Sequence, residues 1–239
     1  MKCVICSAAL IAAAGVASAD TVDVRQLDGS NGRGAGANSS ITVYGNTSTI
    51  FAGELIHEFT NGTGRLAALN GRTLAVFCVD AEQSTARGTP VTYESEDLAN
   101  VPTPGAAMGS ARADAVRGMI AYKDSLSGTG LASTENQFAL AFQLALWEVI
   151  YDYDTSVMGG NLDLDAGDFS ATRTTGSSWS GAVLDQFNDF LANIGFMPRS
   201  GAIALRSDTN QDLVVVIPTP AAAGMGLVGL AGLASRRRR

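Results

Sequence analysis

The sequence predicts an α+β fold, an antiparallel β-sheet or barrel-like core with a helical region inserted into it. Two observations carry that reading. Short runs rich in Val, Ile, Thr and Phe, punctuated by Asn-Gly turns, occupy residues 41–79 and return at 203–205 and 213–217. Between them lie segments whose apolar residues recur at helical spacing. Strands first and last with helices between is the pattern of an α+β domain. No internal repeat interrupts it.

The elements follow in order. Residues 20–40 are polar and rich in Gly, Asn and Ser, and read as a flexible lead-in to a domain spanning 41–217. Residues 41–44 form a strand that ends at Gly45-Asn46, and 51–59 form a second that ends at the Asn61-Gly62 turn. Residues 66–69 and 73–79 read as two further strands joined by Asn70-Gly71, a hairpin signal. Tyr93 starts a short strand before a Pro-rich turn at 101–105. Helices are predicted over 111–125, over about 134–151 and over 182–194. The second carries Phe138, Ala141, Phe142, Ala145, Leu146 and Val149 on one face, and 152–180 reads as a looser connection.

Both ends read as sorting signals. Met1-Lys2, an apolar run from about Val4 to Val16 and Ala17-Ser18-Ala19 make up a signal peptide over 1–19. At the other end Pro218-Thr219-Pro220 precedes fourteen apolar residues, 221–234, and four terminal arginines. As a helix the apolar stretch covers about 21 Å against a hydrocarbon core of roughly 30 Å, so it reads as a short transmembrane sorting helix that relies on snorkelling, on membrane thinning or on the residues around the Pro pair. The arginines would hold its end on the cytoplasmic side. This segment, 218–239, resembles the PEP-CTERM sorting signal of bacterial envelope proteins, with Thr219 where the usual motif has Glu. The resemblance implies an exosortase-type processing enzyme as partner, the inner membrane as the site of a membrane-anchored precursor, and export to the cell envelope, surface or extracellular matrix.

The chain has 23 acidic and 16 basic residues, for a net charge of −7. Setting aside Lys2 and the four terminal arginines leaves 11 basic residues and a net charge of −12, which disfavours nucleic acid and anionic membranes. It also leaves Cys78 as a solitary thiol, since Cys3 and Cys6 fall in the predicted signal peptide.

Two local patterns carry the candidate chemistry. Phe77-Cys78-Val79-Asp80 ends a predicted strand, and Phe142-Gln143-Leu144-Ala145-Leu146-Trp147 lies within a predicted helix, with Gln143 and Trp147 four apart on one face. Gln143 stands in an apolar neighbourhood, where a carboxamide costs free energy unless its polar atoms are satisfied. Attack of the Cys78 sulfur on the Gln143 carboxamide with loss of ammonia would give an internal thioester, an electrophile open to a partner amine. The alternative leaves Cys78 as a small buried hydrophobe, Gln143 hydrogen-bonded to nearby backbone and Trp147 in the core.

The two patterns resemble the Cys–Gln thioester domain of surface adhesins, with its aromatic-Cys-aliphatic and Gln-x-Ala-aliphatic-Trp motifs, although Phe142 replaces the usual Thr before Gln. The resemblance implies Cys78 and Gln143 as bond partners, supported by Phe77 and Trp147, in an adhesive, non-enzymatic cell-surface protein that captures a surface or matrix partner covalently through an amine. The competing expectation is a passive structural envelope or matrix protein without a thioester.

Other candidates are weaker. The only histidine, His57, reads as a satisfied strand residue. No cysteine–histidine cluster, nucleophile elbow or phosphate-binding loop is present, and no cofactor is expected. Asp163, Asp165 and Asp168, with Asn161 before them, and Asp208 and Asp212 alternate as calcium ligands do. In the first loop Gly167 is displaced from the glycine position of a calcium loop and no terminal glutamate follows, and the second, with Asn210 between its aspartates, has the same weakness, so solvated turns are the default. Asp80 and Glu82 could pair as carboxylates, but local hydrogen bonding is the expected use for them.

Overall fold

The computed structural model describes residues 19–85, 87–126, 135–157, 162–195 and 201–217. Eight strands and three α-helices form in the order β1 (Thr21–Gln26), β2 (Arg33–Val43), β3 (Asn46–Thr60), β4 (Arg72–Cys78), β5 (Val91–Glu96), α1 (Gly109–Leu126), α2 (Glu135–Asp152), β6 (Phe169–Arg173), α3 (Gly181–Ala192), β7 (Ala202–Arg206) and β8 (Leu213–Val216). Hydrogen bonding runs through β1-β5-β7-β8-β4-β3, and β3 pairs back onto β1, so six antiparallel strands close a barrel. Closure leaves these strands without free edges. Strand alternation fills the interior, with Val22 and Val24 of β1 and Leu55 and Phe59 of β3 all buried.

β3 is long enough to serve two structures. Its C-terminal half lies in the barrel, while its N-terminal half pairs with β2, which in turn pairs with β6. The change of direction falls where the β2–β3 register shifts, at Gly36 opposite Gly53. Both have φ of 146°, and a Cβ on either would collide with the carbonyl of the facing strand. Only glycine fits this approach. The polar, Gly-rich segment expected as a lead-in is therefore β1 and the first half of β2.

The β2–β3–β6 extension supports α2 from one side while α1 and α3 cover the other. Every residue from Ala139 to Tyr151 is buried, so α2 is enclosed all round rather than amphipathic. Burying a side chain such as Phe142 or Leu146 contributes roughly 1.5–3 kcal/mol, which makes this helix the main apolar anchor of the helical layer. Arg112 of α1 closes its C-terminus, donating from Nε to Tyr153 O (2.9 Å) and from Nη1 to Ile150 O (2.8 Å). Asp152, the last residue of α2, accepts from the amides of Asp168 (2.7 Å) and Phe169 (2.8 Å) and so positions the start of β6.

The barrel with inserted helices agrees with the fold class predicted from sequence; three other expectations are corrected. Residues 66–69, expected as a strand, lie in a 3-10 helix, Gly64–Leu69, because buried Leu66 and Leu69 are three apart and share one face of such a turn. The looser connection over 152–180 contains β6. The transmembrane sorting helix is also corrected: no described helix is long and apolar enough to cross a membrane. The longest, α1 and α2, have 18 residues each; α1 is heavily charged, and α2 is enclosed by the rest of the fold. The membrane-anchored precursor, its inner-membrane contact and the localisation built on them lose their support with that helix. The segments read as signal peptide and sorting signal, 1–19 apart from Ala19 and 218–239, lie outside the described residues.

Candidate functional site

Cys78 is the last residue of β4, and Gln143 lies near the middle of α2. The two meet despite their separation of 65 residues. Gln143 Oε1 accepts from the Cys78 backbone N–H at 3.0 Å, and Gln143 Nε2 donates to the Cys78 carbonyl at 2.9 Å. Both residues are buried. The carboxamide thus closes both of its polar atoms on one backbone unit, beside the only free thiol among the described residues. Strand pairing explains why that backbone is available: β3 pairs with β4 only as far as Val76, and Val79 N donates to Asp212 O on the β8 side, so the Cys78 N–H and carbonyl face the edge that β3 has left.

Apolar groups close around the pair. Phe77 and Phe142, the chain neighbours of Cys78 and Gln143, meet edge to face with centroids 4.6 Å apart, and Phe142 stacks likewise on Phe190 at 5.2 Å. Lys123 Nζ stands 5.7 Å from the centroids of both Phe77 and Phe142. Phe77, Phe142 and Lys123 line a groove of about 190 Å³ that opens beside the β4–β8 contact. Trp147, one turn beyond Gln143, is fully buried with its ring 6.0 Å from Phe169. Its Nε1 has no hydrogen-bond partner among the described residues.

The electrostatics of the other side are acidic. Burial pushes the Cys78 thiol well above its ordinary pKa, and the charge of Asp80 adds to the shift. Asp80 Oδ1 accepts from the amides of Glu82 (2.7 Å) and Gln83 (3.3 Å), while Oδ2 is buried without a partner among the described residues. Burial raises this carboxyl to about 6, against the two amide hydrogen bonds that lower it. Tyr93 is raised by burial first and then by Cys78, which places its phenol in the same neighbourhood; its OH donates to Gln211 O at 3.1 Å. Tyr151 OH accepts from Ala81 N at 3.2 Å.

The fold thus brings together Phe77, Cys78, Gln143, Phe142 and Asp80, with Trp147 on the same helix. The calcium candidates form no cluster there, although Asp212 reaches the same neighbourhood: its backbone O accepts from Val79 N at 3.0 Å and its charge raises Asp80. Asp163 Oδ1 accepts from the amides of Asp165 and Ala166, both at 2.9 Å, and the Asp168 side chain is exposed. Asp208 pairs with Arg206 at 2.6 Å, and Asp212 accepts from Ser207 N and Thr103 N. Asn161 lies outside the described residues. Among the described residues no group of three or more His, Cys, Asp or Glu could hold a metal ion. His57 is buried on β3 with Nδ1 3.2 Å from Leu55 O, and desolvation lowers its pKa to about 4.

Glu148 escapes the sequence-level search for functional residues. It is fully buried, with Oε1 accepting from Asp163 N at 2.9 Å and Oε2 lacking a partner among the described residues. Burial, then the charge of Asp152, lifts it to about 9. Its signal is a lone carboxylate within the apolar run 138–151.

No protein-family model matches the chain, and no curated protein matches it. The reading of the chain as a PEP-CTERM protein, and with it the exosortase partner, is corrected, because no described helix is long and apolar enough to cross a membrane and no family model matches; none matches the region that resembles the adhesin thioester domain either.

Proposed function

We propose that Cys78 and Gln143 form an internal thioester and that this bond acylates a partner amine. The observation that supports the reading is the two-point contact of the Gln143 carboxamide with the Cys78 backbone, at 3.0 and 2.9 Å. It holds the electrophilic carbon within one side chain of the thiol sulfur. The Cys78 N–H points at the oxygen on which negative charge develops when sulfur attacks, a one-donor version of oxyanion stabilisation. Burial slows competing hydrolysis by keeping water out. The sulfur displaces ammonia, an incoming amine later displaces the sulfur, and the product is a permanent amide at Gln143 with the thiol restored. Each chain reacts once, so the molecule is an attachment protein of adhesive type rather than an enzyme with turnover.

A second reading rests on the same contact. The two hydrogen bonds already satisfy the buried carboxamide, so Gln143 could serve only to tie α2 to the end of β4 in a passive structural protein.

Methylamine separates the two. The thioester reading predicts that the purified protein takes up one methylamine and exposes one titratable thiol in the same step, while a Cys78→Ala variant does neither. A folded wild-type protein whose thiol is free from the start and whose mass is unmoved by methylamine supports the passive reading instead.

A further inference from the structure

We propose that Asp80 is the proton acceptor of the Cys78–Gln143 reaction, an inference that rests on the thioester reading. A buried thiol held well above its ordinary pKa supplies almost no thiolate at neutral pH, so attack on the carboxamide requires a base at the site. The groups around Cys78 offer one. Asp80 follows two residues later, is 1% exposed, and exerts its charge on the thiol.

Its two oxygens have different work. Oδ1 shapes the chain after β4 through the amides of Glu82 and Gln83. Oδ2 has no partner among the described residues, although leaving a buried carboxylate oxygen unsatisfied is costly. A turn needs only the first oxygen. The second is what a proton acceptor would keep free.

The groups facing Asp80 favour this role. Asp212 just before β8 and Glu82 in its own loop raise its proton affinity, while Cys78, Tyr93 of β5 and Tyr151 of α2 are neutral near pH 7. None is a cation that would lock the carboxylate in its charged form. At about 6 its proton affinity suits a base that must both take and return a proton near neutrality.

The step balances. Asp80 takes the Sγ proton as sulfur adds to Cδ of Gln143; it returns that proton to Nε2, and ammonia leaves as the C–N bond breaks. In acyl transfer the incoming amine gives its proton to Asp80, which passes it to Sγ as the C–S bond breaks. The carboxylate is regenerated both times.

Asp80→Asn is the informative variant because its Oδ1 can still accept from Glu82 and Gln83 while its amide cannot take a proton. The full chain and this variant are followed by intact mass for ammonia loss and then for methylamine uptake between pH 5 and 8. The expected result is a folded variant that is slower by tenfold or more in either step at pH 7.5. The wild-type advantage should shrink below pH 6, where Asp80 is protonated, and Asp80→Glu should recover part of the rate. Equal rates for wild type and Asp80→Asn across the range would overturn the proposal. Should Asp80→Asn fail to fold, the wild-type rate per unprotonated methylamine decides: a fall below about pH 6 supports the role, and a flat profile refutes it. A wild-type protein that never loses ammonia defeats the underlying thioester reading, and the role of Asp80 with it.

Discussion

At the scale of single residues, two polar side chains interrupt the apolar run of α2, and each is settled differently. Gln143 is visible in the sequence as an oddity, and its partner proves to be the very cysteine that the sequence singles out. Sequence alone supplies the two residue types but not the double backbone contact, because that depends on where β3 stops pairing with β4. Glu148 is harder to read, since its environment comes from Asp152 and from the loop at Asp163. Raised from an ordinary value of 4.5 to about 9, it keeps its proton in the fold while the unfolded chain loses it. The folded state therefore binds more protons between those values, and this group's contribution to stability falls as pH rises through that window. Glu148→Gln, a neutral mimic, should stabilise the protein by about 1–3 kcal/mol at pH 8 and make little difference at pH 4. Thermal unfolding of both proteins across that range tests this, and a variant that melts lower at pH 8 would show that Glu148 is ionised in the fold.

At the scale of elements, the sequence locates the helices better than their surroundings. The expected 111–125, 134–151 and 182–194 become Gly109–Leu126, Glu135–Asp152 and Gly181–Ala192. Helical periodicity survives in any sequence that must bury one face, but it does not reveal that α2 buries every face. β1 and the part of β2 before residue 41 escape detection for a different reason. Ser39 and Gly36 do not look like strand interior, yet Gly36 is required where the β2–β3 hairpin leaves the barrel opposite Gly53. What holds α2 in place is also non-local. Arg112 donates from the neighbouring helix to the carbonyls of Ile150, in the last turn of α2, and Tyr153, just beyond it, so Arg112→Ala should cost about 1–3 kcal/mol and speed amide exchange at the end of α2 and the start of β6 before other regions. Urea unfolding with hydrogen exchange checks both, and uniform loss of protection across the barrel would contradict a local capping role.

At the scale of the whole molecule, a closed barrel and a helical layer are joined through β3, and the Cys78–Gln143 contact lies where the two parts meet. A covalent bond there would tie the barrel to its helices across 65 residues of chain, as well as storing an acyl group. Loop closure of that length constrains the unfolded chain, so the same bond would raise resistance to unfolding. The central claim is that the bond forms, and the intact mass of the purified protein combined with a thiol titration tests it most directly. Formation predicts a mass about 17 Da below that of the same processed chain, from the ammonia lost, and no titratable Cys78 thiol after denaturation. Full mass with a free Cys78 thiol would contradict it.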